Sequence, residues 1–333
     1  MRTARRFLGR TAALATRLLL RIGPHRRVLP HVAPDLRVPS LALPLSVRSS
    51  LHLAVLRRAM TPGSTVEPGV EVTEIHLDHG RVLVHRPAGG APAAGALLWF
   101  HGGGYVAGRP ENDQHTCSWL ASRLGVVVVA AEYRLAPEDP FPAALDDAVA
   151  ALDWLHDHAE QLGVDPARVA VGGASAGGGL AAALAQRALD EGRTPIAFQL
   201  LVYPMLDDRT VRRPVSRRPH LVWNPRSNRF GWTGYLGHPA GRDAAPEYAA
   251  AARRADLSGL PPAWIGVGDI DLFHDEDVEY ARRLTAAGVR CTLHVEPGMF
   301  HGADSGFGDG AETTRRFRRA LLAAARAAFT EPV

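Results

Sequence analysis

An α/β fold is what the 333-residue sequence predicts: a mostly parallel eight-stranded sheet flanked by helices, with a helical cap above it. Three observations carry this expectation. Eight short apolar runs recur between residues 70 and 296. From the third run onward, helical patterns separate them, as parallel strands with crossover helices require. Two stretches, 1–68 and 205–256, do not follow that alternation.

The runs are "VEVTEIHL" (70–77), "RVLVHRP" (81–87), "GALLWF" (95–100), "VVVVAAE" (126–132), "RVAVGG" (168–173), "FQLLVYP" (198–204), "AWIGVG" (263–268) and "CTLHVE" (291–296). The first two straddle "DHG", a hairpin turn signal. Helices are expected over 112–124, 142–161, 175–190, 275–287 and 311–329. The 205–256 stretch is rich in Arg, Pro, Trp and Asn. Loops of that length without structure of their own are uncommon in compact domains. The division expected is therefore a first cap segment (1–68), a body (69–204 and 257–333) and a second cap segment (205–256).

Composition narrows the function. Hydrophobic residues make up 46% and charged residues 22%, enough apolar content to bury a sizeable core. Two cysteines, Cys117 and Cys291, are too few for a disulfide framework, so a reducing, cytoplasmic setting is expected. All 38 basic residues are arginine. Without lysine there is no P-loop lysine, no Schiff base and no Ser-x-x-Lys nucleophile pair. A net charge of +4 with no basic run interleaved with aromatics argues against a nucleic-acid partner.

The opening "MRTARRFLGRTAALATRLLLRIGPHRRVLP" resembles a twin-arginine export signal at "ARRFLGR". Arg17 and Arg21 interrupt its apolar stretch, and no A-x-A cleavage site follows. It is too short and too charged to span a bilayer, so no stable membrane insertion is expected. Phe7, Leu14, Leu18, Leu19 and Ile22 instead suggest one apolar stripe of a helix packed on the body.

The chemistry centres on "GASAG" (173–177), which follows one apolar run and opens a helical pattern. That is the G-x-S-x-G nucleophile elbow in its required context, with Ser175 at the apex. A dinucleotide-binding loop also joins strand to helix with glycines, but G-x-G-x-x-G does not match here. Upstream, the third run enters "HGGGY" (101–105). Acyl transfer needs donors aimed at the developing oxyanion, and glycine amides are unobstructed. Gly103, Gly104 and the amide of Ala176 would supply them, with Gly102 shaping the turn and His101 organising the loop. A serine also needs a base and an orienting carboxylate, following it in the chain as acid and then histidine. "DIDLFHDED" (269–277) and "PGMFHGAD" (297–304) each follow a run, at the strand ends where open α/β sheets bind ligands. His301 is the candidate base. Asp271 is the candidate acid, with Asp269 and Asp275 as competitors, and His274 is read as surface. No spacing suggests a metal site, and no cofactor is expected.

"HGGGY", "EYRLAPEDPFPAALDD" (132–147), "GGASAGG", "DLFHDE" and "GMFHG" together resemble the hormone-sensitive-lipase-like branch of the α/β-hydrolases over residues 70–328. The resemblance implies a serine carboxylesterase for short and medium acyl esters, working through an acyl-enzyme under a helical cap. It implies Ser175 as nucleophile, Asp271 as acid, His301 as base and Glu138 as a hydrogen-bonding scaffold. Three positions depart from the family: Ala174 stands where Asp or Thr is usual, Gly179 where Asn is frequent, and Gly302-Ala303 where Gly-Phe is frequent. Those departures touch substrate preference and site rigidity, not reaction type. Tyr105, Trp223, Phe230 and Trp232 are expected to wall the substrate pocket. An amidase, carbamate or lactone hydrolase with the same triad is the enzymatic alternative. A non-catalytic ligand binder, like the gibberellin receptors that lost the histidine, is the other, and His301 argues against it. The partner expected is a small ester; homo-oligomerisation stays open.

Overall fold

The continuous apolar runs become the central strands because only strands covered on both faces can bury every side chain. The computed structural model describes residues 29–37, 46–60, 65–89, 95–213, 220–308 and 310–330. Its strands are β1 (Val70–His76), β2 (Arg81–Pro87), β3 (Ala96–Phe100), β4 (Val127–Ala131), β5 (Val169–Ala174), β6 (Phe198–Val202), β7 (Ala263–Gly268) and β8 (Cys291–Glu296). Each lies within two residues of its expected bounds. They form one sheet in the order β1-β2-β4-β3-β5-β6-β7-β8. β1 and β2 pair antiparallel, as do β2 and β4; every later pair is parallel. β3, β4 and β7 are buried throughout, whereas edge strand β1 keeps Glu71, Thr73 and Glu74 exposed on its rim.

The helices are α1 (Ser50–Ala59), α2 (Gln114–Leu124), α3 (Ala143–Asp157), α4 (Ala159–Leu162), α5 (Ala176–Asp190), α6 (Pro225–Leu236), α7 (His274–Ala286) and α8 (Glu312–Thr330). The expected helix 142–161 is thus two, broken at His158. Two cores result, one per sheet face. α3, α5 and α7 bury Leu145, Leu152, Leu180, Leu184 and Leu284 on one face. On the other, α2 and α8 bury Leu120, Phe317, Leu321 and Phe329.

Strand order decides where chemistry is possible. β3 lies between β4 and β5, so the chain leaves it in one direction and returns on its other side, a topological switch point. Phe100 pairs with Gly173 across β3 and β5. The loop after β3 and the turn after β5 therefore emerge side by side. The loops following β7 and β8 rise from the same edge.

The 205–256 stretch holds a 3₁₀ turn (Asp208–Arg212), α6 and a second 3₁₀ turn (Ala251–Arg253). Trp223, Trp232, Tyr235 and Leu236 join the same core as Val106 and Ala136 of the loops beneath. The apolar series Phe7 to Ile22 lies outside the described residues. Of the first segment, 29–37 seats Leu36 in the core, ties Ala33 N to Gly298 O (2.9 Å) and gives Asp35 to the Thr313 amide (2.9 Å). The 46–60 part is tied to α6 by Ser46 Oγ donating to Asn224 Oδ1 (3.3 Å) and Val47 N to Ser227 Oγ (2.9 Å).

Candidate active site

Ser175 occupies the N-cap of α5 with φ 58° and ψ −118°. That conformation is unfavourable for a residue with a Cβ and persists only where its surroundings enforce it. They do so through the backbone: Ser175 N donates to Val202 O, and Ser175 O accepts from Gly179 N and Met205 N. Gly177 is required by space, since a Cβ there would stand 2.0 Å from Phe100 O. The turn is pressed directly onto the end of β3.

Three side chains from three loops meet here. His301 Nδ1 lies 2.9 and 3.1 Å from the two carboxylate oxygens of Asp271. A carboxylate only accepts, so Nδ1 carries the proton and Nε2 is left as an acceptor. Ser175 Oγ lies 2.8 Å from Nε2 and donates to it. All three residues are buried. Asp271 is further oriented by the Phe273 amide (2.9 Å). The imidazole is held edge-on between Phe273 (5.1 Å, 85°) and Tyr203 (4.8 Å, 63°).

The competing acids are engaged elsewhere. Asp269 Oδ1 accepts from Gly298 N (2.7 Å) and closes the turn before the histidine loop. Asp275 is exposed and faces its neighbour His274 (2.9 Å). Among these aspartates, Asp271 alone reaches the imidazole.

The glycine loop after β3 lies against the elbow, with a Cβ at Gly102 placed 3.5 Å from Ser175 Cβ. The Gly102 amide, however, faces the half-buried Asp113 carboxylate, so Gly102 sets the turn rather than pointing a donor at the serine. Gly103 and Gly104 both have positive φ, 129° and 65°, and their amides have no intramolecular acceptor among the described residues. The amide of Ala176, first residue of α5, is one of those a helix start leaves unpaired. His101 is buried, stacked on Tyr133 (4.3 Å), and donates from Nδ1 to Gly102 O (2.7 Å). Burial pushes its pKa down to about 4, which keeps it neutral as a fixed brace.

The four aromatics divide. Trp223 stands over the glycine loop: a Cβ on Gly104 would meet its ring at 2.1 Å. Phe230 is half-buried and packs against the core edge. Tyr105 and Trp232 differ from the expectation of pocket walls. Tyr105 stacks on Tyr235 at 3.9 Å and tilts against Trp232 at 5.5 Å, and all three are buried. Their surfaces are spent on one another because α6 needs a core of its own. Glu138 grips the Arg57 guanidinium with both oxygens (2.9 and 2.7 Å), the scaffold role expected of it. Gly179, where the family often has Asn, has no room for a side chain, since a Cβ would lie 2.1 Å from Met205 O.

Several contributors went unread in the sequence. Glu276 is fully buried and accepts from Leu206 N (2.8 Å) and Asp207 N (3.1 Å), with Thr210 Oγ1 on its other oxygen. Burial raises its pKa to about 8, so it anchors the root of the 205–256 stretch as a neutral acid. Tyr203 has φ 37° and donates to the buried Asp304 (2.8 Å). Val222, a β-branched residue at φ 65°, lies beside Gly302. The only signal for Glu276 was its place in "DLFHDE"; Tyr203 and Val222 carried none.

The α/β-hydrolase fold family matches residues 97–305, well over half of the chain. Esterase LipI of Mycobacterium tuberculosis is 35% identical over 265 residues, covering 78% of this chain and 82% of that protein. Carboxylesterase NlhH of the same species is 40% identical over 214 residues, 62% of this chain and 65% of that one. Among solved structures, a bacterial heroin esterase superposes with a TM-score of 0.80 at 36% identity, covering 91% of this chain and 99% of that one. With the glycine loop, the serine elbow and the acid and histidine loops all on one sheet edge in the expected order, the chain belongs to the α/β-hydrolase family, in its hormone-sensitive-lipase-like carboxylesterase branch.

Proposed function

We propose that this protein hydrolyses carboxylic esters of small molecules through an acyl-enzyme on Ser175, with short to medium acyl chains preferred. The observation that carries the reading is the unbroken hydrogen-bond chain Asp271–His301–Ser175, ending on a serine held at the apex of a strand-to-helix turn. As Ser175 Oγ attacks the ester carbonyl carbon, its proton passes to His301 Nε2. Asp271 holds the imidazole in the accepting tautomer and stabilises the imidazolium. The carbonyl oxygen becomes an oxyanion facing the amides of Gly103, Gly104 and Ala176. His301 then returns the proton to the departing alcohol, and the acyl group stays on Ser175. Water attacks that acyl carbon, giving its proton to Nε2; Nε2 then passes the proton to Ser175 Oγ as the acyl–oxygen bond breaks, and the acid leaves with Ser175 and His301 restored.

The names of the relatives support ester bonds as the target, and short to medium acyl groups are what the family resemblance implies. The segments 1–68 and 205–256 act in this reading as the cap over the body 69–204 and 257–333. Two free cysteines suit a cytoplasmic setting. The test is a p-nitrophenyl ester series graded by acyl length, run beside an anilide and a lactone, with organophosphate labelling of Ser175. Turnover of short and medium esters with stoichiometric labelling is expected. Faster turnover of the anilide or lactone would move the reading to those bonds.

A further inference from the structure

We infer that the outward face of α1 docks this protein on an anionic membrane surface. The inference goes beyond the proposed chemistry and is independent of it. Residues 1–60 hold twelve arginines and one acid, Asp35, a net +11 in a chain whose total is +4. The remaining residues therefore carry −7. So lopsided a charge distribution is an electrostatic footprint for a polyanionic partner at one end of the chain.

Eight of those arginines lie outside the described residues; within them, α1 carries an apolar face. Large exposed hydrophobics among the described residues are Leu51 (73% exposed), Val55 (61%) and Leu189. Leu51 and Val55 stand one turn apart on α1 and Arg58 one turn further, so the three share a stripe. Arg48, also exposed, lies just before the helix. The opposite face is committed: Leu53 is buried, Leu56 packs on the core, and Arg57 donates to Val106 O (2.8 Å), Ala136 O (3.0 Å) and Glu138. α1 is thus anchored by one side and offers leucine, valine and arginine on the other, with no acid in the helix.

That pairing selects the partner. A nucleic acid would be met by the arginines alone and has no use for Leu51 and Val55. An anionic bilayer interface takes both, apolar side chains among the acyl chains and guanidiniums among the headgroups. Among the described residues no helix is long and apolar enough to cross a membrane, so the contact is peripheral. The chain leading into α1 is bonded to α6, and α6 lies over the glycine loop through Gly231 and Gly104 O.

The test is flotation of the full chain with vesicles of phosphatidylcholine containing about one third phosphatidylglycerol, against phosphatidylcholine alone and a random DNA duplex. Binding to the anionic vesicles is expected, with release as sodium chloride rises through a few tenths molar. The double variant Leu51→Ser/Val55→Ser should lose at least about tenfold in vesicle affinity. Arg48→Glu/Arg58→Glu should lose a similar factor. Both should hydrolyse p-nitrophenyl butyrate as the parent does. Equal flotation with neutral vesicles, undiminished binding by Leu51→Ser/Val55→Ser, capture by the duplex alone, or self-association without vesicle binding would each overturn the inference.

Discussion

Next to Ser175 the space at Gly177 is closed by main chain; at Gly104 of the glycine loop it is closed by the side chain of Trp223. A Cβ at Gly177 would collide with Phe100 O at 2.0 Å and His101 O at 2.5 Å, whereas one at Gly104 would collide with the indole of Trp223. Backbone atoms belong to the sheet and cannot move without unpairing strands, while an indole can be exchanged for another ring. The difference separates two jobs. In the proposed reaction the serine would sit on a frame that few substitutions can retune, and Trp223 over the glycine loop would be a replaceable part.

The sharpest way to break that division is at the nucleophile. Ser175→Ala should lower ester hydrolysis by at least about 10⁴-fold with thermal stability nearly unchanged, since triad members act as a unit. An alanine variant that retained turnover would move the chemistry off the elbow. Next comes the acid. Asp271→Asn should lower kcat on the order of 10³- to 10⁴-fold, because the amide favours the wrong imidazole tautomer. Asp269→Asn should stay within about tenfold, as it only loosens the Gly298 turn. Reversal of that order in steady-state kinetics would reassign the triad.

Stability and selectivity sharpen the comparison from each side. Gly177→Ala forces a methyl into main chain and should cost about 1 to 3 kcal/mol in denaturant unfolding. Trp223→Phe keeps an aromatic over Gly104 but gives up the indole bond to Asn228 Oδ1 (3.3 Å). It should change relative kcat/KM between short and longer acyl esters by up to about tenfold, with a smaller loss of stability than Gly177→Ala. If Trp223→Phe left the chain-length profile untouched, the side-chain layer would not be selecting substrates.

The smallest effect concerns the root of that layer. Glu276 has a folded pKa of about 8, against an ordinary value near 4.5 in the unfolded chain. Between those values the folded protein holds more protons than the unfolded one, so stability falls as pH rises through that window. The slope should not exceed about 1.4 kcal/mol per pH unit. Glu276→Gln should flatten the dependence of Tm on pH between 5 and 8, leaving the residual slope to neighbours such as the buried Asp277, whose pKa burial also raises. A variant whose Tm tracked the parent's across that range would show that Glu276 is not the titrating anchor.

Much of the frame was legible because it depends on local pattern. Apolar runs, intervening helical periods and glycines at strand ends are adjacent in sequence, and each signals its own backbone requirement. The eight strands, the Ser175 elbow and the loops bearing Asp271 and His301 could therefore be placed from residue types alone. Selection of Asp271 over Asp269 was different: both follow β7 by a few residues, and only the fold turns one toward His301 and the other toward Gly298. The packing of Tyr105 and Trp232 was illegible for the same reason. Tyr105 and Trp232 are as apolar as Trp223, but which rings they pack against depends on which way α6 faces. Sequence by itself determined the chemistry and the order of its parts, since reactive groups are set by identity and local turn. Tertiary structure alone decided which surfaces remain open, because burial is a property of what arrives from elsewhere in the chain.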